Sequence, residues 1–206
     1  MKNKMTMILL LMISTIFSQM DKKSIIYDKA YVQETFEMKY SENWNFRWNA
    51  HGTPHRVYGK NIPFSFDIQN TNLSEYYARK FIEDNHFLFE IDNSNLELWI
   101  NELGGNIRYL TFNQMYNNIP VYNARIDFRF NEQGNLVLFG HDGYPNININ
   151  PNYILSDEQA LNFAKEHISF DDNIDNFVVG EPEKFIWVHQ SEIPEYHLSW
   201  LIELHV

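Results

Sequence analysis

Residues 107–143 carry the clearest secondary-structure pattern in the sequence, and they read IRYLTFNQMYNNIPVYNARIDFRFNEQGNLVLFGHDG. From Pro120 to Asn131 the side chains alternate between two sets. The first set is Tyr122, Ala124, Ile126, Phe128 and Phe130, and the second is Val121, Asn123, Arg125, Asp127 and Arg129. Because successive side chains of a strand point to opposite faces of its sheet, this alternation predicts a strand whose first set is buried and whose second set is mostly solvated.

Turn-forming residues on both sides extend this strand into a larger unit. Residues 131–135 include Gly134, which is free to adopt a positive φ, and residues 136–140 return as a second strand. Upstream, residues 108–116 are rich in β-branched and aromatic side chains, which favour a strand. The pair Asn117-Asn118 suits a tight turn between the two. The sequence therefore predicts an antiparallel meander of three strands.

This meander resembles the FTP module, the fungalysin/thermolysin propeptide family. That family has an apolar or aromatic residue, then Q-x-Y-x-G-I/V-P-V and a small residue. A strand, a glycine and a second strand that ends in glycine follow. Asn118 stands where the family usually has glycine, and asparagine is the next-best residue for a positive φ. The residues that carry the resemblance are Arg108, Tyr109, Phe112, Gln114, Tyr116, Ile119, Pro120, Val121, Ala124, Gly134 and Gly140.

Elements before the meander follow the order of the same family. Residues 43–59 place Trp44, Phe46 and Trp48 at strand spacing before a turn, which is similar to the start of an FTP module. Residues 73–87 are predicted to form a helix with Asn72 as the N-cap and Glu75 completing a capping box. Its apolar stripe consists of Tyr77, Ala78, Phe81 and Ile82. Residues 96–103 alternate as a further strand.

Elements after the meander resemble part of a PepSY-type module, which usually follows FTP. Residues 145–153 are rich in asparagine and proline and are interpreted as a linker. Ser156 and Gln159 form a capping box for a helix over residues 157–167, and strands follow at 184–189 and 196–206. The residues expected on the packed face of this helix are Ala160, Phe163, Ala164 and Ile168. The sequence stops within an apolar strand, which suggests a truncated module or a terminal edge strand.

The predicted fold class is α+β, with antiparallel sheets each packed against a helix. We expect a signal peptide at 1–18, a lead-in linker at 19–42 and an FTP-like domain at 43–144. A linker at 145–155 then leads to a partial PepSY-like module at 156–206.

The N-terminus has the features of a secretory signal peptide. Lys2 and Lys4 precede an apolar run over residues 5–17, and the small residue Ser18 fits a cleavage site. This predicts a secreted, periplasmic or cell-surface protein, with a retained membrane anchor as the alternative. The chain has no cysteine, which excludes disulfides and a lipid anchor on cysteine. Its net charge of −11 argues against nucleic-acid and anionic-membrane partners.

The sequence offers no zinc-peptidase or nucleophile motif. H-E-x-x-H is absent, and Gly52 and Pro54 prevent a helix from bringing His51 and His55 to one face. The segment His141-Asp142-Gly143 is interpreted as a strand-end turn rather than a metal site. There is no G-x-S-x-G motif either. We therefore expect no catalytic residue, no metal ligand and no cofactor.

Paired carboxylates also have ordinary structural explanations. Asp157-Glu158 falls in the first turn of the predicted helix, where negative charge is favourable. Asp171-Asp172 falls in an acidic loop. Neither pair is expected to act as a general acid and base.

The resemblance implies a non-catalytic propeptide of an exported zinc metallopeptidase precursor, which assists folding of the catalytic domain and inhibits its active site. The first alternative is a free-standing inhibitor acting in trans, and the second is a carbohydrate-binding adhesion domain that uses exposed aromatic residues. For Gln114 and Tyr116, satisfying the sheet and its turn is an alternative to partner contact. The candidate contact residues are Gln114, Tyr116, Asn123, Arg125 and Arg129.

Overall fold

A computed structural model describes residues 28–41, 43–152, 155–168, 180–191 and 193–204 with their side chains, and the backbone alone of residues 6–12, 177–178 and 205. Most of the expected signal peptide and much of the lead-in linker lie outside these ranges. The pair Asp171-Asp172 also lies outside them. The expectations for the parts outside these ranges therefore stay predictions. Residues 29–40 of the expected linker form a helix, with Val32 and Phe36 buried in the main core.

The elements of the described chain alternate between helices and strands, with most strands in its middle part. None of the described helices is long and apolar enough to cross a bilayer. The elements are β1 (Thr6–Met12), α1 (Lys29–Tyr40), β2 (Trp44–Arg47), β3 (Arg56–Ile62), α2 (Thr71–Asp84), α3 (His86–Phe89), a 3₁₀ turn (Asn93–Asn95), β4 (Leu96–Gly104), β5 (Ile107–Tyr116), β6 (Ile119–Phe130), β7 (Leu136–His141), α4 (Asp157–His167), β8 (Phe177–Val178), β9 (Glu183–His189) and β10 (Glu195–His205).

The strand β6 lies at the centre of a mixed sheet. Strands β4, β5, β6, β7, β3 and β2 follow one another as antiparallel neighbours, so the predicted meander β5–β6–β7 is confirmed. Strand β7 ends at His141 opposite Ile126, and β9 pairs with the first half of β6 through Val121 and Ile186. That pairing is parallel. The α+β class is confirmed, whereas the expectation of purely antiparallel sheets was wrong at this junction.

The main core lies between one face of this sheet and helices α1 and α2. The Phe36 ring of α1 lies 5.3 Å from the Trp44 ring of β2. The Phe81 ring of α2 lies 5.1 Å from Phe139 and 6.0 Å from Phe128. Each of these buried rings contributes roughly 2–3 kcal/mol by leaving water. Aromatic burial on one side of the sheet is therefore a main stabilising term of the fold.

Helix α2 begins and ends earlier than the sequence pattern predicts. Its N-cap is Asn70, whose side chain accepts a hydrogen bond from the Leu73 amide at 3.1 Å. The predicted Asn72 cap with Glu75 was therefore wrong. A preceding turn, in which the Asn70 amide donates to the Asp67 carbonyl, positions the earlier asparagine as the cap. The helix ends at Asp84, and residues 86–89 form the separate helix α3.

Helix α4 matches its predicted cap but not its whole predicted packed face. Ser156 and Gln159 form the capping box. Ala160 and Ala164 are buried in a small separate core with Trp200 of β10, whereas Phe163 is 42% exposed. The contact with β10 runs along the two alanines, so the expectation that Phe163 is buried was wrong.

A bulge at Asn123 divides β6 into two halves with opposite facing. Asn123 has a φ of +57°, and the register with β5 jumps from Asn113–Arg125 to Met115–Pro120. Beyond this bulge Val121 is only 3% exposed and belongs to a second core with Ile186, whereas Tyr122 is 36% exposed. The predicted facing of Val121 and Tyr122 was therefore wrong. The predicted facing from Ala124 to Phe130 agrees with the burial pattern, apart from Asp127.

Two predicted turns have the expected backbone geometry. Asn117 and Asn118 have φ values of +49° and +62° and join β5 to β6, as a tight hairpin turn requires. Gly134 has a φ of +70°, and a Cβ there would overlap the backbone of Phe66. Gly134 is therefore fixed both by its dihedral angle and by the close approach of another chain segment.

We expect Gly134→Ala to destabilise the fold by about 3 kcal/mol, because the new methyl group is strained and displaces Phe66. Gly105→Ala is the matched control, since Gly105 has a φ of +61° with no neighbour within 4 Å of its would-be Cβ. That control should cost only about 1 kcal/mol. The urea denaturation midpoints of the two variants measure these losses of stability. Equal midpoints would show that the Phe66 backbone moves aside at no cost.

Candidate functional site on the open face of the sheet

The sheet has a second face, turned away from helices α1 and α2. Register places Tyr109 opposite Arg129 and Asn113 opposite Arg125. Directly paired residues point the same way, and Phe128 between them points into the core, so these side chains share the outer side. We call this surface the open face. Its polar and aromatic members are Arg47, Arg56, Tyr58, Trp99, Tyr109, Thr111, Asn113, Arg125, Asp127 and Arg129.

A buried carboxylate, Asp127, lies at the middle of the open face. It is 7% exposed and accepts a 2.7 Å hydrogen bond from the Thr111 hydroxyl. Its Oδ2 lies 3.3 Å from Arg56 Nη2, and its Oδ1 lies 3.7 Å from Arg129 Nη2. A buried carboxylate is tolerated only when such partners replace its lost hydration. Asp127 therefore joins β5, β6 and β3 across the sheet.

Gly140 allows Arg56 to make this contact. Strand β7 separates β3 from β6, and Gly140 of β7 lies directly opposite Asp127. A Cβ at Gly140 would overlap Arg56 Nη1 and lie 2.6 Å from the His55 carbonyl oxygen. The Arg56 side chain therefore crosses β7 where there is no side chain in its way.

Three arginines of the open face lie against aromatic rings. The guanidinium carbon of Arg129 is 4.6 Å from the Tyr109 ring centre, and that of Arg125 is 5.5 Å from the Trp99 ring centre. Arg47 lies 5.8 Å from the Tyr58 ring centre in the same way. Such cation–π contacts contribute roughly 0.5–1 kcal/mol each at exposed sites, and they hold long side chains in place.

A second polar cluster, centred on Asp142, borders the open face. Asp142 Oδ1 lies 2.6 Å from His55 Nδ1 and accepts from Asn49 Nδ2 at 3.1 Å, while Arg56 Nη1 donates to Oδ2 at 2.9 Å. Burial would raise the pKa of Asp142. The hydrogen bonds from His55, Asn49 and Arg56 outweigh burial and hold that pKa below its usual value.

The histidines of this region attach to one segment, residues 141–143. His51 Nε2 lies 3.2 Å from the Gly143 carbonyl oxygen, and His141 Nδ1 accepts from the Gly143 amide at 3.1 Å. Sequence reasoning missed this proximity, because His51 and His141 are brought together only by the β3–β7 pairing. Among the residues that the structure describes, no three histidine or carboxylate groups are arranged to hold a metal ion.

His141 is fully buried in its neutral form. Its Nε2 donates to the Phe89 carbonyl at 2.9 Å, because that carbonyl oxygen can only accept. Its Nδ1 then serves as the acceptor for the Gly143 amide. Burial is the main cause that lowers the pKa of His141 from 6.5 to about 4.

We expect the free energy of unfolding to fall as the pH drops from 6.5 to about 4. In this range His141 is protonated in the unfolded chain but stays neutral in the folded protein. His141 contributes roughly 3 kcal/mol to this loss, and its full stabilisation is present above pH 6.5. His141→Gln keeps a donor for Phe89 but does not titrate. The free energy of unfolding, measured from pH 4 to 8, should therefore depend less on pH in the variant. Parallel pH profiles would contradict this assignment.

The candidate contact residues fall into different environments. Gln114 is only 4% exposed, and its amide both donates to the Tyr144 carbonyl at 2.7 Å and accepts from the Tyr144 amide at 2.8 Å. The expectation that Gln114 lies at the surface was therefore wrong. The Tyr116 hydroxyl donates to the Ile149 carbonyl at 3.2 Å.

The other three candidates remain accessible to different degrees. Asn123 is exposed at the bulge, and Arg125 and Arg129 lie together on the open face. Sequence reasoning missed Arg47, Arg56, Trp99 and the central position of Asp127. The alternation of arginine and aspartate along residues 125–129 was the available signal for Asp127.

Comparison with known proteins gives remote structural similarity and no family. No family model matches the chain, and no curated protein matches it. The chain is similar to the solved C-terminal domain of YpeB from Bacillus megaterium, at 18% sequence identity and a TM-score of 0.39. The match covers 75% of this chain and 62% of that one, so this chain spans less than two thirds of its neighbour. The functional argument therefore rests on the residues themselves.

Proposed function

We propose that this chain is a non-catalytic pro-region of an exported zinc metallopeptidase precursor. It would assist folding of the catalytic domain and inhibit the active site of that domain until it is removed. The proposal comes from the resemblance of the meander to FTP modules. The partner is a zinc metallopeptidase catalytic domain, attached in cis or, as the alternative, met in trans.

The observation that supports the proposal is that the residues of the resemblance have specific structural tasks. Arg108 is buried and donates to the Ile68 carbonyl from Nε at 2.8 Å and from Nη2 at 2.6 Å. Gln114 holds both backbone groups of Tyr144, and Asn118 supplies a positive φ. Gly140 makes room for Arg56. These are therefore positions at which the fold itself restricts the residue type, as the resemblance requires.

The proposed action follows from mass action. A module that binds the folded peptidase and not its unfolded chain shifts the equilibrium toward the folded enzyme. A covalent tether raises the effective concentration of the module to roughly millimolar, so modest affinity is enough to block the cleft. No catalytic residue, metal ligand or cofactor in this chain is required for either effect.

We expect the purified full chain to inhibit a thermolysin-like zinc peptidase in trans, raising the apparent KM for a peptide substrate with kcat unchanged, because it competes for the cleft. The measurement is the initial rate of peptide hydrolysis against chain concentration, with trypsin as a control that has no zinc cleft. An equimolar amount of the chain should also raise the activity recovered when the denatured peptidase is refolded. Neither effect at about 100 μM, a concentration that detects even weak binding, would remove the proposal.

The cis and trans versions are separated by the gene. An in-frame continuation past Val206 that encodes H-E-x-x-H supports the pro-region. A stop codon directly after Val206 counts against the cis version and leaves the inhibitor acting in trans.

A further inference from the structure

We propose that the open face binds an acidic protein segment, whose carboxylates are held by Arg47 and Arg125. This inference goes beyond the proposed function, because it does not require that the partner be a peptidase. It rests on the unused hydrogen-bond donors of two arginines, on their spacing and on charge complementarity.

Arg47 and Arg125 differ from the other arginines of the open face in what they contact. Arg56 and Arg129 face the carboxylate of Asp127, and Arg56 also donates to Asp142. Within the described ranges, the guanidinium groups of Arg47 and Arg125 have ring contacts but no hydrogen bond or ion pair. Each guanidinium has five N–H donors in a planar fork that fits a carboxylate. These donors are available to a partner.

The aromatic contacts favour a carboxylate partner over a sugar. A carbohydrate platform needs the flat face of an exposed ring. On the open face the rings of Tyr58, Trp99 and Tyr109 each carry a guanidinium over that surface. What the open face offers is therefore an arrangement of cations supported by rings. Arginine, tryptophan and tyrosine are also the residues most enriched at the centres of protein interfaces.

The spacing of the two arginines fits an extended segment. Arg47 pairs with Arg56, which lies across β7 from Asp127, and Arg125 is two residues from Asp127. At about 4.8 Å between strands and 3.4 Å per residue, the backbone positions of Arg47 and Arg125 are about 16 Å apart. A small anion cannot bridge that distance. An extended chain covers it with about five residues, so two carboxylates at that separation match both arginines.

The charges around the open face favour one position for such a segment. The chain has 16 basic and 27 acidic side chains, so a cluster of four arginines contrasts with a mostly acidic protein. Exposed Glu97 and Glu102 of β4 form its margin on one side. Asp127 is paired with Arg56 and Arg129, and Asp142 is paired with Arg56. An acidic segment is therefore attracted to the centre of the open face and repelled at the β4 margin.

The test is binding of fluorescently labelled poly-L-glutamate to the full chain at about 50 mM salt, where screening is moderate. The double variant Arg47→Glu/Arg125→Glu should bind at least about tenfold more weakly, because two attractive contacts become repulsive. Arg47→Lys/Arg125→Lys should weaken binding less, about threefold, because lysine keeps the charge and loses the fork. Neither arginine has an ion pair within the described residues, but the glutamate variant loses both ring contacts and the stabilisation that they provide. Urea denaturation of each variant is therefore measured, to show that it is folded under the conditions of the binding assay.

The charge-matched control is Lys29→Glu/Lys80→Glu, which changes net charge equally on exposed positions of helices α1 and α2. Lys80 loses its exposed ion pair with Asp84, so the urea midpoint of the control is measured as well. The control should bind poly-L-glutamate nearly as well as the wild type. The inference is overturned if the control loses as much binding as the arginine variant, or if the arginine variant binds like the wild type. It is also overturned if heparin binds at the open face and poly-L-glutamate does not.

Discussion

The compensation of one buried carboxylate, Asp127, is the interaction on which the arrangement of the sheet depends. Asp127 accepts a hydrogen bond from Thr111 of β5 and forms ion pairs with Arg56 of β3 and Arg129 of its own strand β6. Removing one partner from such a buried group typically costs 3–5 kcal/mol, about as much as a large core truncation. The ion pair between Asp127 and Arg56 also restricts β7, because only glycine at position 140 leaves room for the Arg56 side chain. One charge therefore constrains residues on four strands.

The two faces of the sheet are stabilised by different kinds of interaction. The face toward α1 and α2 is covered by closely packed phenylalanine rings, whose burial energy depends on area and little on direction. The open face is held by hydrogen bonds, ion pairs and ring–cation contacts, which depend on distance and angle. The same β6 strand supplies Phe128 to one face and Asp127 to the other. A polar face that is fixed in this way is suited to presenting side chains at defined spacings.

Local sequence signals predict the local structure well. The Asn117-Asn118 turn, the capping box of Ser156 and the alternation along the second half of β6 each follow from a few neighbouring residues. The early cap at Asn70 was missed because two asparagines compete as caps, and a turn from Asp67 selects between them. The bulge at Asn123 was missed because it serves a contact with β9 far along the chain. The candidate site was found in part, since Arg125 and Arg129 lie on β6 itself, whereas Arg47 and Arg56 join them only through strand pairing.

The division of β6 by its bulge has a consequence for the order in which the chain assembles. Its pairing with β5 closes through the two-residue turn Asn117-Asn118, whereas its pairing with β9 joins Val121 to Ile186, 186 − 121 = 65 positions apart. Closing the longer loop costs more chain entropy, and the surface that receives β9 exists only once the hairpin is in place. We therefore expect the C-terminal residues to dock on a preformed meander. Pulsed hydrogen exchange should show amides of β5 and β6 protected before those of β9, and simultaneous protection would show a single assembly step.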